Sequence, residues 1–467
     1  MKKIFIYLVL LFLSVMRKFW KVVPITIVPI AIGMATSVLL QATAQIQNIK
    51  LIDQVDGSGP VMSPAIAINH KDPNNWVMGV APNRTLYTRD GGKTWTASKS
   101  ESSWSNYSDP ALISDGKGNF HYFHIAGPAG NNATDNRRDR IVSRTSYDGG
   151  GSWAEETFFG NRPPYNLVRP RPFVFQRGSI YVTWTQFNHD DPTDSTCQSN
   201  ILLSMSSSDG KKWSEPLQIN QAPGDCQDQA QTMQGAALAE NTEGKLFIAW
   251  SNRGTIYLDR SYDGGRTWLT NDLAIGRYPG GGPIKVPGIE KCYSMPMLAV
   301  DNSLSYFRGC LYVVWADQSN GENDTDIWFM RSTNRGDLWT QKRRVNLDSI
   351  GRHQFLPSIA VDEATGILYI VYYDRREYDD LRTDVYLAYS TDGGIKFTEM
   401  KISESPFVPV AEKPFADHIA IAAFKGVIAP VWTRTDEGGT SVWTALLKQG
   451  DLIKKEDVPR LQQLHRK

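Results

Sequence analysis

Cysteine and histidine are both scarce in this chain, with 4 and 7 copies in 467 residues. The histidines are scattered and show no zinc spacing, and neither a glycine-rich phosphate loop nor a serine-centred nucleophile elbow occurs. Zinc, nucleotide and serine-hydrolase chemistry therefore have no footing in the sequence. Net charge is nearly absent as well. Fifty Lys and Arg face 49 Asp and Glu, for a formal charge of +1. Nothing in that total argues for a nucleic acid or an anionic membrane as partner, so any charged site must be local. No low-complexity linker divides the chain, which is long enough for one large all-β domain or two ordinary ones.

What is present is aromatic and glycine-rich, with 14 Trp, 19 Tyr and 38 Gly. That composition fits short strands, stacked aromatic turns and many loops, as in propellers and sandwiches. The N-terminus has Lys2 and Lys3 before an apolar run over residues 4–15. Arg17, Lys18 and Lys21 precede a second run over 22–40, and Ala42-Thr43-Ala44 follows. A basic start, an apolar core and an Ala-x-Ala end describe a secretory signal over residues 1–44, with Met16 as an alternative start. Export to a secreted, periplasmic or cell-surface location is expected. A retained anchor is the alternative, because about 19 apolar residues can span a bilayer.

One motif organises the rest. Ser261-Tyr262-Asp263-Gly264-Gly265-Arg266-Thr267-Trp268 has variants at 88–95, 146–153, 207–213, 332–339 and 390–397. The third copy is one residue short, the fifth has Asn334 for Asp, and the sixth ends in Phe397. The chemistry is that of a turn: Asp accepts from turn amides, glycines supply positive φ, and Trp covers the turn. The motif reads as a staple and not as a catalyst. Six copies in one register resemble the Asp-box, or BNR repeat, of sialidases (neuraminidases) and related β-propellers.

Each box closes a unit that begins with a short apolar strand, at Pro64, Pro110, Pro172, Gly235, Pro296 and Pro357, with a seventh start at His418. After a first interval of 46 residues the starts recur every 61 to 63, the near-constant period of a repeat array. Each unit is expected to be a four-stranded antiparallel meander. The seventh has only three strand candidates, and residues 46–54 are a strand left over at the other end. Pairing the two would close the ring and protect both edges. An all-β, seven-bladed propeller over residues 45–450 is therefore expected, with six blades as the alternative and 451–467 as a charged tail. Strand alternation puts the boxes on one face. The long connections, residues 127–139, 186–200 and 274–293, lie on the other, where function should sit.

The resemblance implies three arginines on a sugar carboxylate, a Tyr nucleophile assisted by Glu, and an Asp acid. Guanidinium groups suit a carboxylate through paired charge-assisted hydrogen bonds. Val61-Met62-Ser63-Pro64 stands where the family has Phe/Tyr-Arg-Ile-Pro, so the first arginine is missing. Arg169-Pro170-Arg171-Pro172 is the nearest substitute. Arg171 is thus a substrate-binding candidate, together with Arg253, Arg375 and Arg434, which follow second strands. The alternative for such arginines is an ion pair between neighbouring blades, as the equivalent Asp317 and Asp374 suggest. Asp109, entering an inner strand near the axis, is the acid candidate, with Asp417 in a comparable position. Tyr293 with Glu290 is the nucleophile pair.

No cofactor is expected. Asp190, Asp191 and Asp194, or Glu322, Asn323, Asp324 and Asp326, could hold structural calcium, although solvated acidic loops give the same pattern. In an exported chain the cysteines permit disulfides, and Cys197 with Cys226 on the long-loop face is the preferred pair. The expected function is a secreted, exo-α-sialidase-like glycoside hydrolase acting on terminal acidic sugars of a glycan or glycoprotein, as a monomer. It would touch a membrane only if the N-terminal segment is retained. The alternative is a non-catalytic propeller that binds glycan or protein, as sortilin-type receptors and photosystem assembly factors do.

Overall fold

A computed structural model describes residues 46–459, apart from 55–59, 83, 100–103, 105–107, 128–137, 162–163, 175–177, 190–193, 207–208, 228–230, 280–282, 411–414, 416–417 and 437–438. The signal segment, Asp417, Asp190 and Asp191 lie outside the described residues. So does the end of the tail, beyond 459.

The described chain is a seven-bladed β-propeller. The innermost strands of blades 1 to 7 are Met62–Ile68, Ser108–Ser114, Asn166–Val174, Gln234–Glu240, Met297–Val300, Gln354–Val361 and Ala420–Phe424. Each contacts the next, and the seventh contacts the first, so the ring is closed. In blades 1 to 6 four antiparallel strands follow one another outward in chain order. Blade 7 is completed by the other end of the propeller, as Asn48–Asp53 pairs antiparallel with its third strand, Gly439–Ala445. This exchange hides two edges that would otherwise offer unpaired backbone groups.

The second strands read as unbroken apolar runs because both of their faces are covered by neighbouring blades. Leu246–Asn252, Leu311–Asp317 and Leu368–Asp374 are buried throughout. Most carry a large, fully buried aromatic, among them Trp76, Trp184, Trp250, Trp315, Tyr372 and Trp432. The core is thus a set of layers between blades, for example Trp184 with Phe159 and Leu167 between blades 2 and 3.

The boxes fold as turns between third and fourth strands. In the fourth copy Ser261 Oγ accepts from the Gly265 amide at 2.8 Å, Asp263 accepts from the Thr267 amide at 2.9 Å, and Trp268 Nε1 donates to the Gly265 carbonyl at 3.1 Å. Hydrogen bonds from the Thr267 hydroxyl first, then from the Thr267 amide and the Ser261 hydroxyl, hold the Asp263 carboxyl below the usual range. In the boxes with two glycines, the second seats the turn against its surroundings. A Cβ on Gly394, at φ 82°, would fall 2.2 Å from the Phe329 ring of blade 5, and one on Gly150 2.5 Å from Val77 of blade 1. The turn is therefore also the join between blades.

Cys197 and Cys226 form a disulfide with Cα atoms 5.6 Å apart, while Cys292 and Cys310 are free and buried. Two stretches depart from expectation. Residues 274–293 are not a plain loop, since Leu273–Arg277 is the fourth strand of blade 4, and Ile284–Val286 with Ile289–Cys292 makes a separate hairpin. Residues 451–459 are not a free tail, because Ile453 is buried and the Tyr389 hydroxyl donates to the Leu452 carbonyl at 3.2 Å.

Candidate functional site

Five innermost strands share one irregularity. The pairing register with the second strand shifts between Met62 and Ala65, Ser108 and Ala111, Val168 and Arg171, Gln234 and Ala237, and Phe355 and Ser358. Within each bulge one residue is left-handed: Ser63 (φ 55°), Asp109 (52°), Arg169 (56°), Gly235 (83°) and Leu356 (52°). A bulge with a left-handed residue re-aims a side chain and is common beside functional sites. Four of the five carry a side chain, so the strain of that conformation is accepted in four blades at the same level. Inner strands begin on the long-loop face, so the bulges ring the axis there.

At this level side chains reach across blades. The Arg169 Nη1 of blade 3 donates to Gln234 Oε1 of blade 4 at 2.8 Å, and its guanidinium lies 4.0 Å from the ring centroid of Tyr293, which leads into blade 5. Asp109, on the adjacent bulge of blade 2, accepts from the Ser108 hydroxyl at 3.2 Å. Asp109, Arg169 and Tyr293 are all half-buried, so they combine positive charge, an aromatic face and a carboxyl at the axis. Glu290, three residues before Tyr293, is exposed on the hairpin strand Ile289–Cys292.

The candidate arginines have different surroundings. Arg171, half-buried, sits opposite Thr183 in blade 3. Arg253 is exposed in the turn after the second strand of blade 4, at φ 50°. Arg434 lies over Trp443 and donates to Ser405 Oγ and the Pro406 carbonyl, both at 3.3 Å. Arg375 is buried, and donates to the Thr383 hydroxyl at 3.0 Å and to the Pro287 carbonyl at 2.7 Å. Burial lowers its pKa to about 10, and its Nη2 finds no acceptor among the described residues. Since Pro287 is in the turn of the 284–292 hairpin, Arg375 of blade 6 fastens the hairpin that leads to Tyr293. A Cβ on Gly288 would come 2.9 Å from Leu381, so the same turn packs closely on blade 6.

Ion pairs between neighbouring blades form at Arg260 with Asp337, at 2.7 Å, and Arg335 with Glu243, at 3.2 Å, whereas those of Asp374 and Asp317 stay within one blade. Arg376 binds Asp374 and Glu399 of its own blade 6, each at 2.7 Å, and Tyr372 donates to the same Glu399. Lys342 reaches Asp317 at 3.2 Å inside blade 5. The acidic loops are occupied by protein donors: Asp194 accepts from the Thr196 amide at 2.7 Å, and Asp326 from Asn346 at 2.7 Å and Asn320 at 2.6 Å. Among the described residues no three His, Cys, Asp or Glu gather as metal ligands.

Sequence reasoning singled out Arg171 and passed over Arg169 and Gln234. The available signal was the residue before the strand-entry proline, which recurs as Ser63, Asp109, Arg169 and Leu356.

No family model matches the chain, and no curated protein sequence matches it. Solved structures that resemble it include Hadza microbial sialidase Hz136, at 14% identity over 81% of this chain and 74% of that one, with a TM-score of 0.47. The GH93 α-L-arabinofuranosidase of Fusarium graminearum, in complex with arabinobiose, shares 12% over 86% and 98%, with a TM-score of 0.48. A protein of unknown function from Dyadobacter fermentans shares 14% over 74% and 96%, also at 0.48. Likeness this distant carries no argument about substrate or mechanism, and the propeller rests on its own strand pairing.

Proposed function

We propose that this chain is an exported glycoside hydrolase of the exo-α-sialidase type, taking the terminal acidic sugar of a glycan at the long-loop mouth of the propeller axis. The observation that carries this reading is the bridge from Arg169, on the bulge adjoining that of Asp109, to Gln234 and Tyr293. It gathers, over four consecutive blades, the side-chain types such a reaction needs. In this reading Arg169 and Arg171 hold the sugar carboxylate. Asp109 protonates the departing glycosidic oxygen, while the Tyr293 oxygen attacks the anomeric carbon and its proton passes to Glu290. Water then releases the sugar, with Asp109 acting as base. Arg253 and Arg434 border the remainder of the glycan, and Arg375 acts by positioning the hairpin that carries Glu290.

The second reading, a propeller that binds glycan or protein without turnover, is favoured by one observation: Arg375 and Arg434 already donate to backbone carbonyls. Hydrolysis of a fluorogenic α-sialoside by the full chain separates the two. The enzyme reading predicts turnover that falls by about 100-fold or more in Asp109→Asn and Tyr293→Phe at unchanged melting temperature. Absence of turnover on acidic and neutral glycosides, with glycan binding retained, would replace it by the binding reading.

A further inference from the structure

The opposite, box-side end of the axis holds a cavity of about 270 Å³ walled by all seven innermost strands. Its walls are aliphatic, among them Ile66, Leu238, Leu298 and Val361, and small side chains at Ala360 and Ala423 keep it open. The polar groups on its lining are few and include His70, Asn302 and Glu363. Glu363 is exposed, and among the described residues no donor reaches its carboxylate. Its neighbours Asp362 and Asp301 are buried and committed. Asp362 accepts from the amides of Lys425 at 3.0 Å and Gly426 at 2.6 Å, and Asp301 from Ser303 at 2.8 Å and Ser305 at 2.6 Å.

The geometry points to a second ligand site here, one that takes a small amphiphilic amine with its alkyl chain in the axial cavity and its ammonium on Glu363. Apolar walls favour a chain that leaves water, at roughly 0.8 kcal/mol per methylene buried. The charge at the rim selects the head group. Glu363 is the carboxylate on the lining, together with the imidazole of His70, whose ring lies 4.9 Å from that of Phe424; the Lys425 ammonium lies 5.0 Å from the same Phe424 ring. Desolvation raises the Glu363 pKa, His70 works against this, and Asp362 and Asp301 add to it. An ammonium gives the Glu363 carboxylate the partner it lacks among the described residues, whereas an anion would be repelled by it. The site is on the face away from Arg169 and Tyr293 and does not depend on their role.

Calorimetric titration of the purified full chain with octylamine, octanol and octanoate tests this. Octylamine is expected to bind with 1:1 stoichiometry, and octanoate about tenfold or more weaker. Glu363→Gln should weaken octylamine by about tenfold and leave octanol unchanged, and Ala360→Trp should abolish both. Because the tryptophan could disturb the ring, Ala423→Leu serves as a second, milder obstruction with the same expected direction. Octanoate binding as tightly as octylamine would overturn the proposal. So would octylamine binding that ignores both Glu363→Gln and the obstructing variants, or no binding at all.

Discussion

Single residues carry two effects that can be measured separately. Gly394 and Gly309 are both left-handed, at φ 82° and 83°, but a Cβ on Gly394 would enter the Phe329 ring whereas one on Gly309 meets nothing within 4 Å. Gly309→Ala should therefore cost about 1 kcal/mol, the backbone strain alone. Gly394→Ala should cost on the order of 3 kcal/mol, because a box turn must lift off the neighbouring blade. Urea denaturation of both variants checks the difference. His353 is buried, and burial, helped by nearby Arg375, lowers its pKa to about 4. Unfolded, it titrates near its ordinary value of about 6.5. The unfolded chain thus takes up the proton first, and stability contributed by neutral His353 is lost as pH falls from about 6.5 towards 4, on the order of 3 kcal/mol in all. Asp272, raised to about 6 by burial, works in the opposite direction over part of this range. The clean readout is therefore the difference between the chain and His353→Gln, which should shrink between pH 7.5 and pH 4.5.

At the level of elements, the hairpin Ile284–Val286 and Ile289–Cys292 is the part of the candidate site that stands outside the four-stranded blades. Its turn is held by the Arg375 to Pro287 hydrogen bond and by Gly288 against Leu381. Arg375→Ala is expected to speed amide hydrogen exchange across residues 284–292 while leaving blade 3 unchanged, and to slow any turnover through Glu290 and Tyr293. Conserved exchange with lost turnover would instead assign Arg375 a direct part in binding. The boxes and the innermost strands were legible because one spacing repeats along the chain and each copy restates the same turn chemistry. The hairpin was not, since Pro283, Pro287 and the glycines around them read as a loop when the partner strand is only four residues long. Arg169 was missed for a related reason. A residue before proline is ordinarily extended, and the bulge that turns it left-handed depends on pairing with the second strand, which spacing alone does not reveal.

The described residues form a ring, and its seventh blade is completed by one borrowed strand. Asn48 also ties that strand to blade 6, donating to the Ile402 carbonyl at 2.8 Å and accepting from the Glu404 amide at 2.8 Å. A chain beginning at residue 55 should melt on the order of 10 °C lower than one beginning at residue 46, and should associate through the exposed edge of blade 7. Differential scanning calorimetry with light scattering reads both. The disulfide acts on a smaller scale. The Cys197 and Cys226 pair closes a loop with a sequence separation of 29, so replacing both by serine should cost about 3 kcal/mol on the loop-entropy model. The two ends of the ring differ, with charged and aromatic groups at the long-loop mouth and an apolar cavity carrying Glu363 and His70 at the box end. The central claim is that the long-loop mouth is where a glycan binds. The most direct test is titration of the full chain with a sialylated trisaccharide, followed by saturation-transfer NMR, against Arg169→Ala and Glu363→Gln. The account predicts that binding weakens about tenfold or more in Arg169→Ala and is unchanged in Glu363→Gln. Binding that is indifferent to Arg169, or that is lost with Glu363, would contradict it.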